Sequence, residues 1–328
     1  MQKSIHNQKY KEWLASDTGN GWITFFTPSY NRAKFLPRLY DCLNSQTNKR
    51  FVWILVCDGS TDNTDDVAKG LLSFEDFPML YIKKENGGKH SAFKVGLENT
   101  RTEFFICMDD DDIYSSDSVA VFLEEWVHIK NEGKADVIGA IRTVVRKKNG
   151  SYASNVPIQI GERCDINTLD RNYVQHIFQE NWTCYNTEAL KTIDLFPERY
   201  WLKDQHKFFL ESIWQGRFAR KYMCRYYNVC LREYTDDAET SLMRSNKSRN
   251  HYLNMFINNK MVLDEQLDYI VKTPVSLIKS ILLISILRSK LNIPFRELLQ
   301  HTKSFLLKTG YIMLYPVAWI SRYPKIKN

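Results

Sequence analysis

FFICMDDDDIY (Phe104–Tyr114) joins an apolar run to four consecutive carboxylates, Asp109, Asp110, Asp111 and Asp112. The apolar half has the near-continuous hydrophobicity of a strand covered on both faces. The acidic half therefore sits at the carboxyl end of a buried strand. Neighbouring carboxylates about 4 Å apart repel by roughly 4 kcal/mol at an effective dielectric of about 20. Bulk water relieves that on an open surface, but at the mouth of a site a cation must do it.

Working outward, the first half of the chain repeats the same unit. WITFFTPSY (Trp22–Tyr30), FVWILVCD (Phe51–Asp58) and MLYIKKE read as strands, each followed by a helical segment. The β-α-β-α order predicts an α/β fold, a doubly wound, mostly parallel sheet with right-handed crossovers. In such sheets ligands lie beyond the carboxyl ends of the strands. Three polar motifs fall there, TPSYNR, DGSTDNT and MDDDD, and they are expected to face one crevice. The reading divides the chain into a helical lead-in over 1–20, an α/β domain over 21–240 that splits near 145, and a helical C-terminal region over 241–328.

The 328 residues carry a formal charge of +7, and 44% are hydrophobic, enough for a substantial core. That charge suits anionic ligands or an anionic membrane face. The basic residues are dispersed and the focal site is acidic, which argues against nucleic acid. The seven cysteines form no CxxC pair and read as reduced core thiols of a cytoplasmic protein. The polar start MQKSIHNQKYKEW lacks a secretory apolar segment, and no run reaches the ~20 apolar residues of a membrane span.

Asp109 and Asp111 alternate at a strand end and are expected to point the same way, suiting a hard divalent ion that also grips a diphosphate. Asp58 closes a buried strand just before a glycine, where it can accept from a base edge. Ser60 or Thr61 is expected to cap the following helix. Pro28, Tyr30 and Arg32 fall on the first strand-to-helix loop, with Tyr30 toward a nucleobase and Arg32 toward phosphate. NGGKHSA brings Lys89 to the same end of the sheet.

In order, these motifs resemble the family 2 glycosyltransferases of GT-A fold, particularly bacterial enzymes of capsule and O-antigen assembly. TPSYNR resembles their P-[ST]-Y-N-R, VCDGSTDNT their V-D-D-G-S-T-D, ENGGKHSAFKVGL their N-x-G-K-x-x-A-x-N-x-G, and FFICMDDDDIY their F-L-D-x-D-D. The likeness is good over about Trp22–Asp112 and looser from Trp182 to Leu242. One departure is Cys57, which stands where the family has the first aspartate of D-D-G-S.

The resemblance implies a GT-A fold with a helical C-terminal extension and an inverting sugar transfer from a nucleotide donor, a UDP-sugar, to a hydroxyl of a growing glycan. It implies that Asp58 binds uracil. Asp109 and Asp111 are the ends of a D-x-D motif holding manganese or magnesium, with Asp109 and Asp110 also on the nucleotide-sugar side together with Pro28, Tyr30, Arg32 and Lys89. FFLESIWQGRFARKYMCRYYNVCLREY resembles the segment that carries the acidic base, with Glu211 the first choice and Asp204 the second. NWTCY resembles an acceptor-side loop, in which Trp182 can stack on a sugar ring. A lipid-linked acceptor would give the apolar C-terminal helices a use as a peripheral contact with the inner membrane face. Two alternatives stay open: a sugar-1-phosphate nucleotidylyltransferase, which would open with a G-x-G-x-R loop absent here, and a nucleotide-sugar binder without catalysis.

Overall fold

The computed structural model describes residues 2–16, 19–196, 211–235 and 249–320. Among these residues ten strands form one sheet: β1 Lys3–His6, β2 Ile23–Ser29, β3 Phe51–Asp58, β4 Met79–Lys84, β5 Phe104–Cys107, β6 Ile113–Tyr114, β7 Ile138–Arg146, β8 Arg163–Ile166, β9 Asn181–Asn186 and β10 Met223–Glu233. Between them run α1 Gln8–Ala15, α2 Leu36–Asn44, α3 Thr64–Leu72, α4 Lys89–Glu98, α5 Ser118–Asn131, α6 Thr168–Tyr173 and α7 Thr187–Lys191. The helices α8 Glu211–Ala219, α9 Arg249–Glu265, α10 Leu267–Ile270, α11 Pro274–Lys290, α12 Phe295–Gln300 and α13 Phe305–Ile320 complete the described chain.

The strand order is β1-β4-β3-β2-β5-β9-β7-β10-β6, with β8 on β10. Pairs β2/β3, β3/β4, β2/β5 and β7/β10 are parallel, and the other pairings are antiparallel. From β2 the chain steps outward to β3 and β4, then returns to place β5 on the other side of β2. The order reverses at β2/β5, and such a switch point opens a crevice at the carboxyl ends. Every residue of β3 is buried, as its apolar run requires.

Two local expectations give way. The lead-in is not wholly helical, because Lys3–His6 forms an edge strand antiparallel to β4 before α1 begins. Nor is Pro28 in a loop, since β2 continues through Ser29. Proline is tolerated there because β5 pairing stops at Phe26↔Cys107, and by the two-residue repeat Pro28 faces that vacated side.

The chain forms two compact units. The first holds the sheet and covers 1–168, 177–193 and 219–239. The second comprises 169–176, 194–218 and 240–328, so the chain passes between them more than once. In the second, α9, α11 and α13 pack around Phe256, Ile257, Ile284, Leu307 and Tyr311.

Candidate active site

The aspartate quartet is held by cations drawn from three different parts of the chain. Arg32 follows β2, and its Nε donates to Asp110 Oδ1 at 2.9 Å while Nη2 pairs with Asp111. Lys89, the first residue of α4, places Nζ 3.0 Å from Asp109 Oδ1. Arg232, near the end of β10, donates from Nη2 to Asp109 at 2.8 Å and from Nε to Asp112 at 2.6 Å. Main-chain oxygens are tied as well: Asp109 O accepts from Tyr114 Oη at 2.9 Å, and Asp111 O accepts from Arg38 and Thr235.

This arrangement corrects the expected geometry of the acidic run. β5 ends at Cys107, so strand alternation does not extend to Asp109 and Asp111. Asp110 and Asp111 instead share Arg32, and Asp109 and Asp112 share Arg232. Four carboxylates thus meet three side-chain cations, and a fourth, Arg38, lies on the main chain of Asp111, so the described cluster is close to charge balance.

The individual acidities follow from position. Burial pushes Asp110 up to about 6, with Arg32 opposing and the charges of Asp111 and Asp109 adding to the rise. Burial likewise raises Asp112 to about 6, against the pull of Arg232. For Asp109 burial acts in the same direction, but Lys89 and Arg232 together outweigh it and hold the carboxyl below its ordinary range.

A second clasp lies beside the first. Asp58 Oδ1 accepts from Lys84 Nζ at 2.5 Å and from Gly87 N at 2.9 Å, while Oδ2 accepts from Gly88 N at 2.7 Å. The junction is tight, because a Cβ on Gly59, whose φ is +73°, would lie 2.6 Å from Asn86 N. Three of the roughly four lone-pair sites of this carboxylate are thus taken, and Asp58 is buried. Its first task is to hold the Gly87–Gly88 turn that starts α4.

Asn31 staples the two loops at φ 55°. Its Oδ1 accepts from Thr61 N at 2.7 Å, and its own N–H donates to Ser60 Oγ at 3.0 Å. Ser60 and Thr61 are therefore engaged with Asn31 and do not cap a helix. The helix starts later, at Thr64, with Asp62 Oδ1 accepting from Thr64 N at 3.1 Å. Tyr30 beside this staple is exposed.

Trp182 does not serve an acceptor. It is 1% exposed, its ring lies 4.7 Å from Tyr114 and stacks on Phe25, and Nε1 donates to Cys107 O at 2.9 Å. An indole enclosed on both faces has no surface left for a sugar. Glu211 opens α8 in the second unit. Asp204 lies outside the described residues. Sequence reasoning passed over Arg232, Arg38, Lys84 and Asn31. For Arg232 the available signal was an arginine inside the apolar strand YYNVCLREY.

Hard carboxylate oxygens at Asp109 and Asp111 suit magnesium or manganese bound through one or two carboxylates plus diphosphate oxygens. Among the described residues no group of three or more His, Cys, Asp and Glu could cage a metal. A metal here would be held by one or two of these carboxylates and completed by its substrate.

The sequence profile of glycosyl transferase family 2 matches residues 24–191, just over half of the chain. The chain belongs to that family. An uncharacterised glycosyltransferase of Rickettsia typhi is 32% identical over 119 residues, 36% of this chain and 35% of that protein. Glycosyltransferase GlyA of Streptococcus pneumoniae serotype 4 is 26% identical over 192 residues, 58% of this chain and 23% of its own length. The matched regions thus span about a third or less of these relatives.

Among solved structures, Staphylococcus aureus TarS 1–349 in complex with UDP-GlcNAc superposes with a TM-score of 0.57 at 15% identity, covering 93% of this chain and 94% of that one. The mannosyltransferase PcManGT of Pyrobaculum calidifontis, in complex with GDP-Man and Mn2+, gives 0.50 at 14% identity over 95% and 92%. At these identities the likeness establishes the GT-A fold.

Proposed function

We propose that the chain is an inverting glycosyltransferase that moves a sugar from a UDP-sugar to a hydroxyl of a surface glycan. The observation that carries this reading is the junction of Asp109–Asp112 with Arg32, Lys89 and Arg232 beside the β2/β5 switch point, where hard carboxylate oxygens and cationic donors lie side by side. Such a site favours a divalent ion arriving with a diphosphate.

Asp109 and Asp111 would hold the metal, which when bound neutralises charge on the departing diphosphate. Arg32 and Lys89, which pair with Asp110, Asp111 and Asp109, would supply cationic donors to the same diphosphate. Asp58 takes the nucleobase, together with Tyr30 and Pro28. In an inverting transfer the acceptor oxygen attacks the anomeric carbon opposite the leaving UDP, and its proton passes to a base. Glu211 is the described residue proposed for that step.

A panel of UDP-, GDP- and dTDP-sugars, with manganese or magnesium, tests the reading through nucleotide release. Slow hydrolysis of one UDP-sugar without acceptor is the expected result. Release from none of the panel, with intact nucleotide binding, would leave a binder and not an enzyme.

A further inference from the structure

The C-terminal helix α13 is apolar on two opposite faces. Leu307 and Tyr311 are fully buried in the helical unit and Ala318 nearly so. On the other side Phe305 is 83% exposed and Met313 73%, with Leu306, Ile312, Pro316 and Val317 exposed alongside them. At ~100° per residue these six side chains fall in one continuous arc of about 140°, interrupted only by Thr309. A surface helix ordinarily presents charged or polar residues on that face.

The stretch of sequence that carries this face is basic, although Arg288 is buried. From Val271 to Ile320 the sequence carries Lys272, Lys279, Arg288, Lys290, Arg296, Lys303 and Lys308 against a single acid, Glu297. Lys303 precedes α13 and Lys308 lies in its first turn. Helix α11 packs against α13 and carries its own exposed Val275 and Ile278 together with exposed Lys279. Among the described residues no helix is long and apolar enough to cross a membrane. At ~1.5 Å per residue α13 is only about 24 Å long, whereas a hydrocarbon core is about 30 Å thick.

We propose that the exposed face of α13 lies in the interfacial layer of an anionic lipid leaflet, with Phe305, Ile312 and Met313 entering the acyl boundary and Lys303 and Lys308 meeting headgroup phosphates. Apolar area combined with basic flanks is the combination that holds an amphipathic surface helix at a charged membrane. The face belongs to the second unit and uses none of the residues of the donor site.

The test is co-sedimentation of the whole chain with vesicles of phosphatidylcholine alone or mixed equally with phosphatidylglycerol. The chain is expected to pellet with the mixed vesicles and to bind pure phosphatidylcholine at least several-fold less. In about 1 M salt, where the screening length falls to about 3 Å, binding should weaken without vanishing. F305E/M313E, at two solvent-exposed positions that tolerate charge, should lower the partition coefficient about tenfold or more while donor hydrolysis stays unchanged. K303E/K308E should remove the preference for phosphatidylglycerol. A wild-type chain that stays in the supernatant, or an F305E/M313E variant that pellets equally well, would overturn the proposal. So would a lipid-free dimer in sedimentation velocity that F305E/M313E abolishes, since a second copy would then own the face.

Discussion

Arg232 Nε donates to Asp112 Oδ2 at 2.6 Å across 120 residues of sequence. The register of β10 against β6 sets Arg232 opposite Tyr114, and this brings a strand from late in the chain beneath the acidic loop. Both members of the pair are buried. Removing the cation would leave Asp109 and Asp112 facing each other, and breaking a buried pair in this way costs about 3–5 kcal/mol. Arg232→Met is accordingly expected to lower the denaturant midpoint strongly, and Arg232→Lys should recover part of the loss. Urea unfolding followed by circular dichroism measures both, and a midpoint unchanged in Arg232→Met would contradict the clasp.

Asp111 differs from Asp112 because its side chain is partly open and its ion pair is with Arg32. Asp111→Ala should leave the fold intact and weaken manganese-dependent UDP binding at least tenfold, as calorimetry in manganese buffer would show. Affinity that is the same with and without the substitution would remove Asp111 from the proposed metal site.

Trp182 shows how the sequence misleads at the site's edge. NWTCY has the aromatic character of a sugar-stacking loop, but β9 carries it between β5 and β7 at the centre of the sheet. Trp182→Ala should therefore cost about 3–5 kcal/mol of stability by opening a cavity. Among molecules that remain folded, acceptor KM should not rise, and a selective rise in KM with normal stability would restore the binding role.

The strands that position the site were readable because a strand buried on both faces must be continuously apolar, as Phe51–Cys57 is. Lys3–His6 was not readable: all four residues are exposed, and only pairing with β4 makes them a strand. The acidic run announced itself by charge. The identity of its partners did not, because Arg232 and Thr235 arrive through strand register more than 120 residues away. The pairing of Asp110 with Asp111 likewise depends on where β5 stops, and propensity alone does not fix an element's last residue.

Asn31 joins the loops after β2 and β3, and its positive φ is one that asparagine tolerates better than alanine. Asn31→Ala should lose about 1 kcal/mol from the missing acceptor, with added backbone strain. Because the staple positions Tyr30 and Arg32, donor KM should rise more than kcat falls. Asn31→Gly, which removes the strain but not the missing bond, should regain stability without regaining donor affinity. A glycine variant normal in both respects would reduce the staple to a backbone effect.

Asp65 supplies a pH test away from the acidic cluster. Its carboxylate accepts from Tyr81 Oη at 2.9 Å, Lys69 Nζ at 2.9 Å and Lys83 Nζ at 3.0 Å. Partial burial alone would raise its pKa, but the bonds from Lys69, Lys83 and Tyr81 outweigh it and bring the value to about 2. A folded-state pKa below the unfolded value of about 3.9 means that the unfolded chain binds the proton more tightly. The contribution is therefore complete above about pH 4 and is lost as pH falls toward 2. After allowance for solvent screening it is worth about 1–2 kcal/mol. The stability gap between the wild type and Asp65→Asn should be constant from neutral pH down to about 5, then close progressively below 4. A gap that stayed open at about pH 2, or that closed on the alkaline side instead, would show that the bonds to Asp65 do not depend on its ionisation.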